Sequence, residues 1–200
     1  MLLKRILTAA AFVLAASTAM AETTARKPAE LIQNLLSAKT AVYDFVQFSP
    51  RGDQISGVVK VQRPGNIRFE YEGKSPLLVV ADGRSLGVNN RKLKTWNLYP
   101  LDKTPLKFLL DETFDSKRIK TVSSDVSGNI TSIVLTDPAV FGDASIRLVF
   151  DNIDGTLRQW TVIDNTKQET TVILYNGRAA AEFGKADFVI PYSEIRNGTR

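Results

Sequence analysis

The sequence predicts an α+β protein built on one curled antiparallel sheet of about ten strands, an open half-barrel covered by an N-terminal helix and a short second helix. Three observations carry this. Apolar residues recur at helical spacing only near residues 27–40 and 104–110. Elsewhere they alternate with polar residues at period two, in runs separated by short Gly, Asp, Asn and Pro turns. Consecutive strands with short links form a meander, and so many strands must curl or split into two layers.

The chain opens with a targeting pattern. Lys4 and Arg5 precede an apolar stretch from Ile6 to Ala16, and Ala19-Met20-Ala21 has the small-x-small form of a cleavage site. A signal peptide is expected over residues 1–21, with a single domain over 22–200 and an exported, periplasmic location. No Cys follows the cleavage site, so no lipid anchor is expected.

Residues 27–40 read as one helix. Pro28 suits its first turn, Leu31, Ile32, Leu35 and Leu36 form its stripe, and Glu30 and Lys39 suit the two ends of its dipole. From Ala41 the period changes to two, and Tyr43, Phe45 and Gln47 share one strand face. Residues 54–63 form the next strand, with Ile55, Val59 and Val61 on one side and Lys60 and Gln62 on the other. After the turn Pro64-Gly65-Asn66, Ile67, Phe69 and Tyr71 alternate with Arg68, Glu70 and Glu72, which read as a solvated face.

Asp82-Gly83 joins strands 77–81 and 84–89 as a hairpin, and 92–99 reads as a further strand. Thr104-Pro105, with Leu106, Phe108, Leu109 and Leu110 behind it, predicts a short helix with Thr104 as N-cap. Its apolar circumference implies that it covers something. Strands resume at about 118–126, 129–136, 144–150, 156–164 and 168–176. Phe183, Phe188 and Ile190 stand out in an irregular tail.

Composition excludes several functions. The leader holds two of the 26 basic residues and none of the 21 acidic ones, so the net charge of +5 falls to +3 without it. The cations are scattered, which argues against a nucleic-acid partner. The chain has no Cys and no His, so neither a metal site nor a cofactor is expected, and the usual general base is missing. Gly83-Arg84-Ser85-Leu86-Gly87 matches the G-x-S-x-G pattern of serine hydrolases, but it opens a strand after a hairpin rather than a helix. No enzymatic activity is expected.

Arg63 is the most informative residue. Strand parity places it on the same face as Ile55, Val59 and Val61, where an unpaired charge is costly. Either it meets carbonyls at the end of a helix, or it bends out to solvent at the strand's end. Tyr43, Phe45, Val59, Val61, Ile67 and Phe69 likewise have two readings, as the wall of an apolar cavity or as a closed core.

The stretch Phe45-Val46-Gln47, Gly57, Arg63-Pro64-Gly65 with Phe69 and Tyr71 resembles the outer-membrane lipoprotein carrier family, LolA. So do Val80-Ala81-Asp82-Gly83 and Thr104-Pro105-Leu106 with Leu109-Leu110. The resemblance implies an open half-barrel lidded by helices. It implies a carrier that takes acylated lipoproteins from an inner-membrane ABC transporter, shields their acyl chains and passes them to an outer-membrane acceptor. It makes Arg63 the lid tether and adds Leu106, Leu109 and Leu110 to the acyl-chain cavity. Ile67 and Gly87 depart from bulkier aromatics in relatives, which bears on cavity shape. A monomer is expected. A periplasmic module of the same fold that senses lipids or lipoproteins is the alternative.

Overall fold

The computed structural model describes residues 26–196, so the expected leader lies outside the described residues. Helix α1 (Pro28–Ser37) leads into five strands: β1 (Thr40–Phe48), β2 (Gln54–Gln62), β3 (Asn66–Tyr71), β4 (Leu77–Asp82) and β5 (Ser85–Asn90). After β6 (Thr95–Pro100) come a 3-10 turn at Leu101–Lys103 and helix α2 (Lys107–Leu110). The second half holds β7 (Lys120–Ser127), β8 (Ile130–Thr136), α3 (Pro138–Phe141), β9 (Ser145–Asp151), β10 (Leu157–Ile163) and β11 (Glu169–Arg178). A 3-10 turn at Lys185–Phe188 and α4 (Tyr192–Arg196) end the described chain.

All 11 strands form one open, curled sheet in the order β6-β5-β4-β3-β2-β1-β11-β10-β9-β8-β7. Each half is a run of consecutive hairpins, and the antiparallel pairing of β1 with β11 joins the halves. The free edges are therefore β6 and β7, and the chain between them carries α2 across the sheet's inner side.

The inner face holds the main core. Alternation places Phe45, Val59, Ile67 and Phe69 inward, where Leu31, Ile32 and Leu36 of α1 and Phe108, Leu109 and Leu110 of α2 meet them. Phe45 stands edge-on to Phe69 at 5.3 Å and to Tyr71 at 5.4 Å. Phe108 of α2 meets Phe141 of α3 edge-on at 5.1 Å. Such pairs add to the simple burial of ring area.

Several boundaries differ from expectation. The first helix stops at Ser37, because the chain becomes extended at Ala38 and Thr40 already pairs with Gln62. Lys39 is thus outside the helix and pairs with Glu112 at 2.8 Å. Residues 91–94 are a turn in which Asn90 caps two backbone amides, so β6 starts at Thr95. Thr104 is no N-cap: its hydroxyl donates back to the Leu101 carbonyl at 2.9 Å, and the helix begins three residues later.

The face bearing Arg68 and Glu70 is not wholly solvated. The tail returns across it as a strap, and Phe188 and Ile190 form a second cluster with Leu78 and Val80. Arg68 Nη1 donates to the Asp187 carbonyl at 3.0 Å, and Lys60 Nζ pairs with its carboxylate at 2.7 Å. Gly87 belongs to this outer face, where a Cβ would lie 2.9 Å from the Trp96 ring and 3.3 Å from Ile190. Its small size makes room for an indole outside the sheet and does not shape the interior.

Candidate functional site

Arg63 follows the last residue of β2, and its side chain turns inward, leaving the residue 8% exposed. Its Nε donates to the Leu109 carbonyl of α2 at 2.7 Å. Its Nη1 donates to the Ala38 carbonyl, at the C-terminal end of α1, also at 2.7 Å. Both acceptors are carbonyls that a helix end leaves without an intrahelical partner. One guanidinium thus joins the two helices that cover the interior.

The backbone of the same turn adds two more bonds. The Arg63 amide donates to the Lys39 carbonyl at 2.7 Å, and the Gly65 amide donates to the Leu110 carbonyl at 2.8 Å. Gly65 has φ +80, and a Cβ there would lie 2.5 Å from the Gly83 Cα, so only glycine lets this amide face α2. Burial pushes the guanidinium down to about 10, so it stays charged at neutral pH.

Beneath the latch lies a small cavity of about 20 Å³, lined by Leu35, Tyr43, Val61, Arg63, Ile67, Leu109, Leu110, Leu157, Trp160 and Leu174. That volume suits about one water and no hydrocarbon chain. With α2 seated, α1 and α2 together cover this part of the interior.

Of the expected cavity residues, Tyr43, Val61, Ile67, Leu109 and Leu110 line this space. Phe45, Val59, Phe69 and Leu106 are buried in the packed core around it and do not reach it. Leu35, Leu157, Trp160 and Leu174 join it without having been anticipated. Leu157 and Trp160 on β10 and Leu174 on β11 reach the cavity because β11 lies beside β1.

Ser85 begins β5 directly after a hairpin turn in which Asp82 Oδ1 accepts from the amides of Arg84 and Ser85 at 3.0 and 2.9 Å. No strand-to-helix elbow presents its hydroxyl.

A family model described as outer membrane lipoprotein carrier protein LolA matches residues 36–191. No curated protein matches the chain. Among solved structures, a LolA superfamily protein from Nitrosomonas europaea aligns at 9% identity and a TM-score of 0.44, over 84% of this chain and 100% of that one. A DUF1329 family protein from Desulfovibrio piger aligns at 11% identity and a TM-score of 0.47, over 82% of this chain and 98% of that one. The MucA/MucB complex of Pseudomonas aeruginosa contains a chain aligned at 13% identity and a TM-score of 0.45, over 82% of this chain and 59% of that one. The family match runs from the last turn of α1 through every strand to the strap on the outer face, and by it the chain belongs to the LolA family of outer membrane lipoprotein carrier proteins.

Proposed function

We propose that this protein is a periplasmic, non-catalytic carrier that exchanges its own lid helix for the acyl chains of lipoproteins. It would load at an inner-membrane ABC transporter and unload at an outer-membrane acceptor. The observation that carries this is the placement of Arg63, a buried charge that holds α1 and α2 over a largely apolar wall through carbonyl bonds alone.

Magnitudes favour an exchange. An acyl chain in water costs about 0.8 kcal/mol per methylene, so on the order of 10 kcal/mol per chain. Lifting α2 uncovers Leu106, Phe108, Leu109 and Leu110, at roughly 1.5–3 kcal/mol each, and so a comparable sum. A lid and a load of similar worth can replace each other, which permits both uptake and release. Polar groups that would select one head group are few on the inner wall, as suits cargo recognised by its hydrocarbon.

The test is native mass spectrometry of the protein purified from the bacterial envelope. Co-purified acylated lipoproteins are the expected result. A preparation free of acylated species, which also takes up no tripalmitoylated lipopeptide in vitro, would overturn the carrier function.

A further inference from the structure

The turn between β5 and β6 presents an apolar side chain among cations. Leu93 at its tip is 66% exposed, more than any other large apolar residue among the described residues, and belongs to neither apolar cluster. Arg91, Lys92 and Lys94 flank it, all exposed. Lys74 is exposed in the turn alongside, which the Arg91 amide joins by donating to the Pro76 carbonyl at 2.7 Å. The tip is held in shape. Asn90 Oδ1 accepts from the amides of Lys92 and Leu93, both at 3.1 Å, and Lys94 takes φ +54, where glycine or asparagine is the usual residue. Leu93 therefore stands out from a fixed backbone.

The charges around it do not cancel. Glu70 is shared by two arginines, Arg68 and Arg91. Lys74, Lys92 and Lys94 have no ion pair among the described residues. Glu72, in the same turn as Lys74, opposes them, and the balance stays positive. Ile153 makes a contrast. It is almost as exposed, at 64%, on the turn between β9 and β10 at the other end of the strands. Asp151 and Asp154 beside it both pair with Arg158, and Arg26, which reaches the Ile153 carbonyl at 3.4 Å, pairs with Glu30. An apolar tip by itself is ordinary, but one set among unpaired lysines is what an anionic bilayer surface attracts.

We propose that the β5–β6 turn docks the protein reversibly on a bilayer surface that contains anionic phospholipid. Leu93 enters the acyl boundary, while Lys92 and Lys94 meet headgroup phosphates. One leucine offers far less apolar surface than an acyl chain, which itself anchors a protein only marginally, so the hold is weak and yields to salt. The Arg63 latch sits at the opposite end of the strands, so docking neither opens the lid nor needs it open. The inference is independent of what the interior carries.

Co-sedimentation at low salt with phosphatidylcholine vesicles, with and without phosphatidylglycerol, is the test. Phosphatidylglycerol should raise binding by roughly tenfold or more, and Lys92→Glu combined with Lys94→Glu should abolish that gain. Leu93→Asp should weaken binding roughly tenfold, while Ile153→Asp leaves it unchanged. The chain has no cysteine, so a polarity-sensitive fluorophore on Leu93→Cys or on Ile153→Cys labels one site. Its emission should shift to the blue on anionic vesicles at position 93 alone. Every substituted side chain is exposed and lies outside both clusters, so lost binding reports the surface rather than the fold. No binding to anionic vesicles, binding indifferent to Leu93→Asp, or an unshifted fluorophore at position 93 would overturn the docking turn. So would equally tight binding to polyglutamate, which would assign the lysines to an acidic protein. None of these outcomes bears on lipopeptide uptake, by which the carrier function is judged.

Discussion

Arg63 donates to the carbonyl of Leu109 at 2.7 Å, although 46 residues separate them in the chain. Arg63→Leu keeps the apolar stem and deletes the donors, leaving the Leu109 and Ala38 carbonyls unpartnered. Loss of the bond to Leu109, the one that lies on α2, weakens closure of that helix by about 1–3 kcal/mol. Hydrogen exchange at the α2 amides should accelerate about 10- to 100-fold, with strand amides unchanged. Arg63→Lys, which has no planar fork to span both acceptors, should fall between. Unaltered α2 exchange in Arg63→Leu would remove the side chain from the latch.

Gly57 is the most tightly enclosed glycine of the sheet among the described residues. A Cβ there would lie 2.1 Å from the Glu70 carbonyl and 2.8 Å from the Phe45 ring. Neither strand backbone nor a fully buried ring can retreat. Gly57→Ala should cost more than about 4 kcal/mol in urea unfolding or prevent folding altogether. An Ala variant of near wild-type stability would contradict the packing around Phe45.

Tyr71 donates its hydroxyl to Gln47 Oε1 at 2.9 Å, and burial pushes its ionisation up to about 12. The folded chain therefore keeps this proton between about pH 10 and 12, where the unfolded chain loses it. Stability contributed by Tyr71 is intact below pH 10 and falls as pH rises through 12. The difference in unfolding free energy between the wild type and Tyr71→Phe isolates this dependence from other groups. Tyrosinate absorbance should show a late-titrating component among the five tyrosines that is lost in Tyr71→Phe.

The strap protects the outer face. Phe188 is buried against the cluster of Leu78, Val80 and Ile190 and stands edge-on to Phe183 at 5.7 Å. Phe188→Ala should cost about 3 kcal/mol and raise binding of an apolar dye. Because the latch lies on the other side of the sheet, α2 exchange should not change. Loss of α2 protection in this variant would mean that strap and latch are coupled.

Period-two alternation was enough to find the strands, because one face of the sheet packs a core and a register slip would expose it. The same parity put Arg63 on the inner face. What alternation could not show was how distant elements meet. No local signal announces that Val46 faces Ile173, so Trp160 and Leu174 went unassigned to the cavity although each lies on a buried strand face. Gly87 bears on the outer cluster and not on cavity shape, because its parity runs through two hairpins to the face of Leu78 and Val80. The strap's Phe183, Phe188 and Ile190 showed as apolar residues without period, since a 3-10 turn crossing strands follows neither repeat. The second helix starts later than its sequence predicts because Thr104 bonds backward to Leu101, a choice that Ser and Thr make between cap and turn.

Joining β1 to β11 has a consequence for how the molecule comes into being. A chain that emerges from its N-terminus has only a half-sheet, with β1 as a raw edge, until residues 169–178 arrive to dock on it. The greasy wall of that half is only partly covered by α1 and α2 for the whole interval, since Trp160 of β10, which packs on Phe69, comes late as well. Assembly is thus withheld until nearly the entire polypeptide is present, and the intermediate most in need of a chaperone is the one that has every strand but the last.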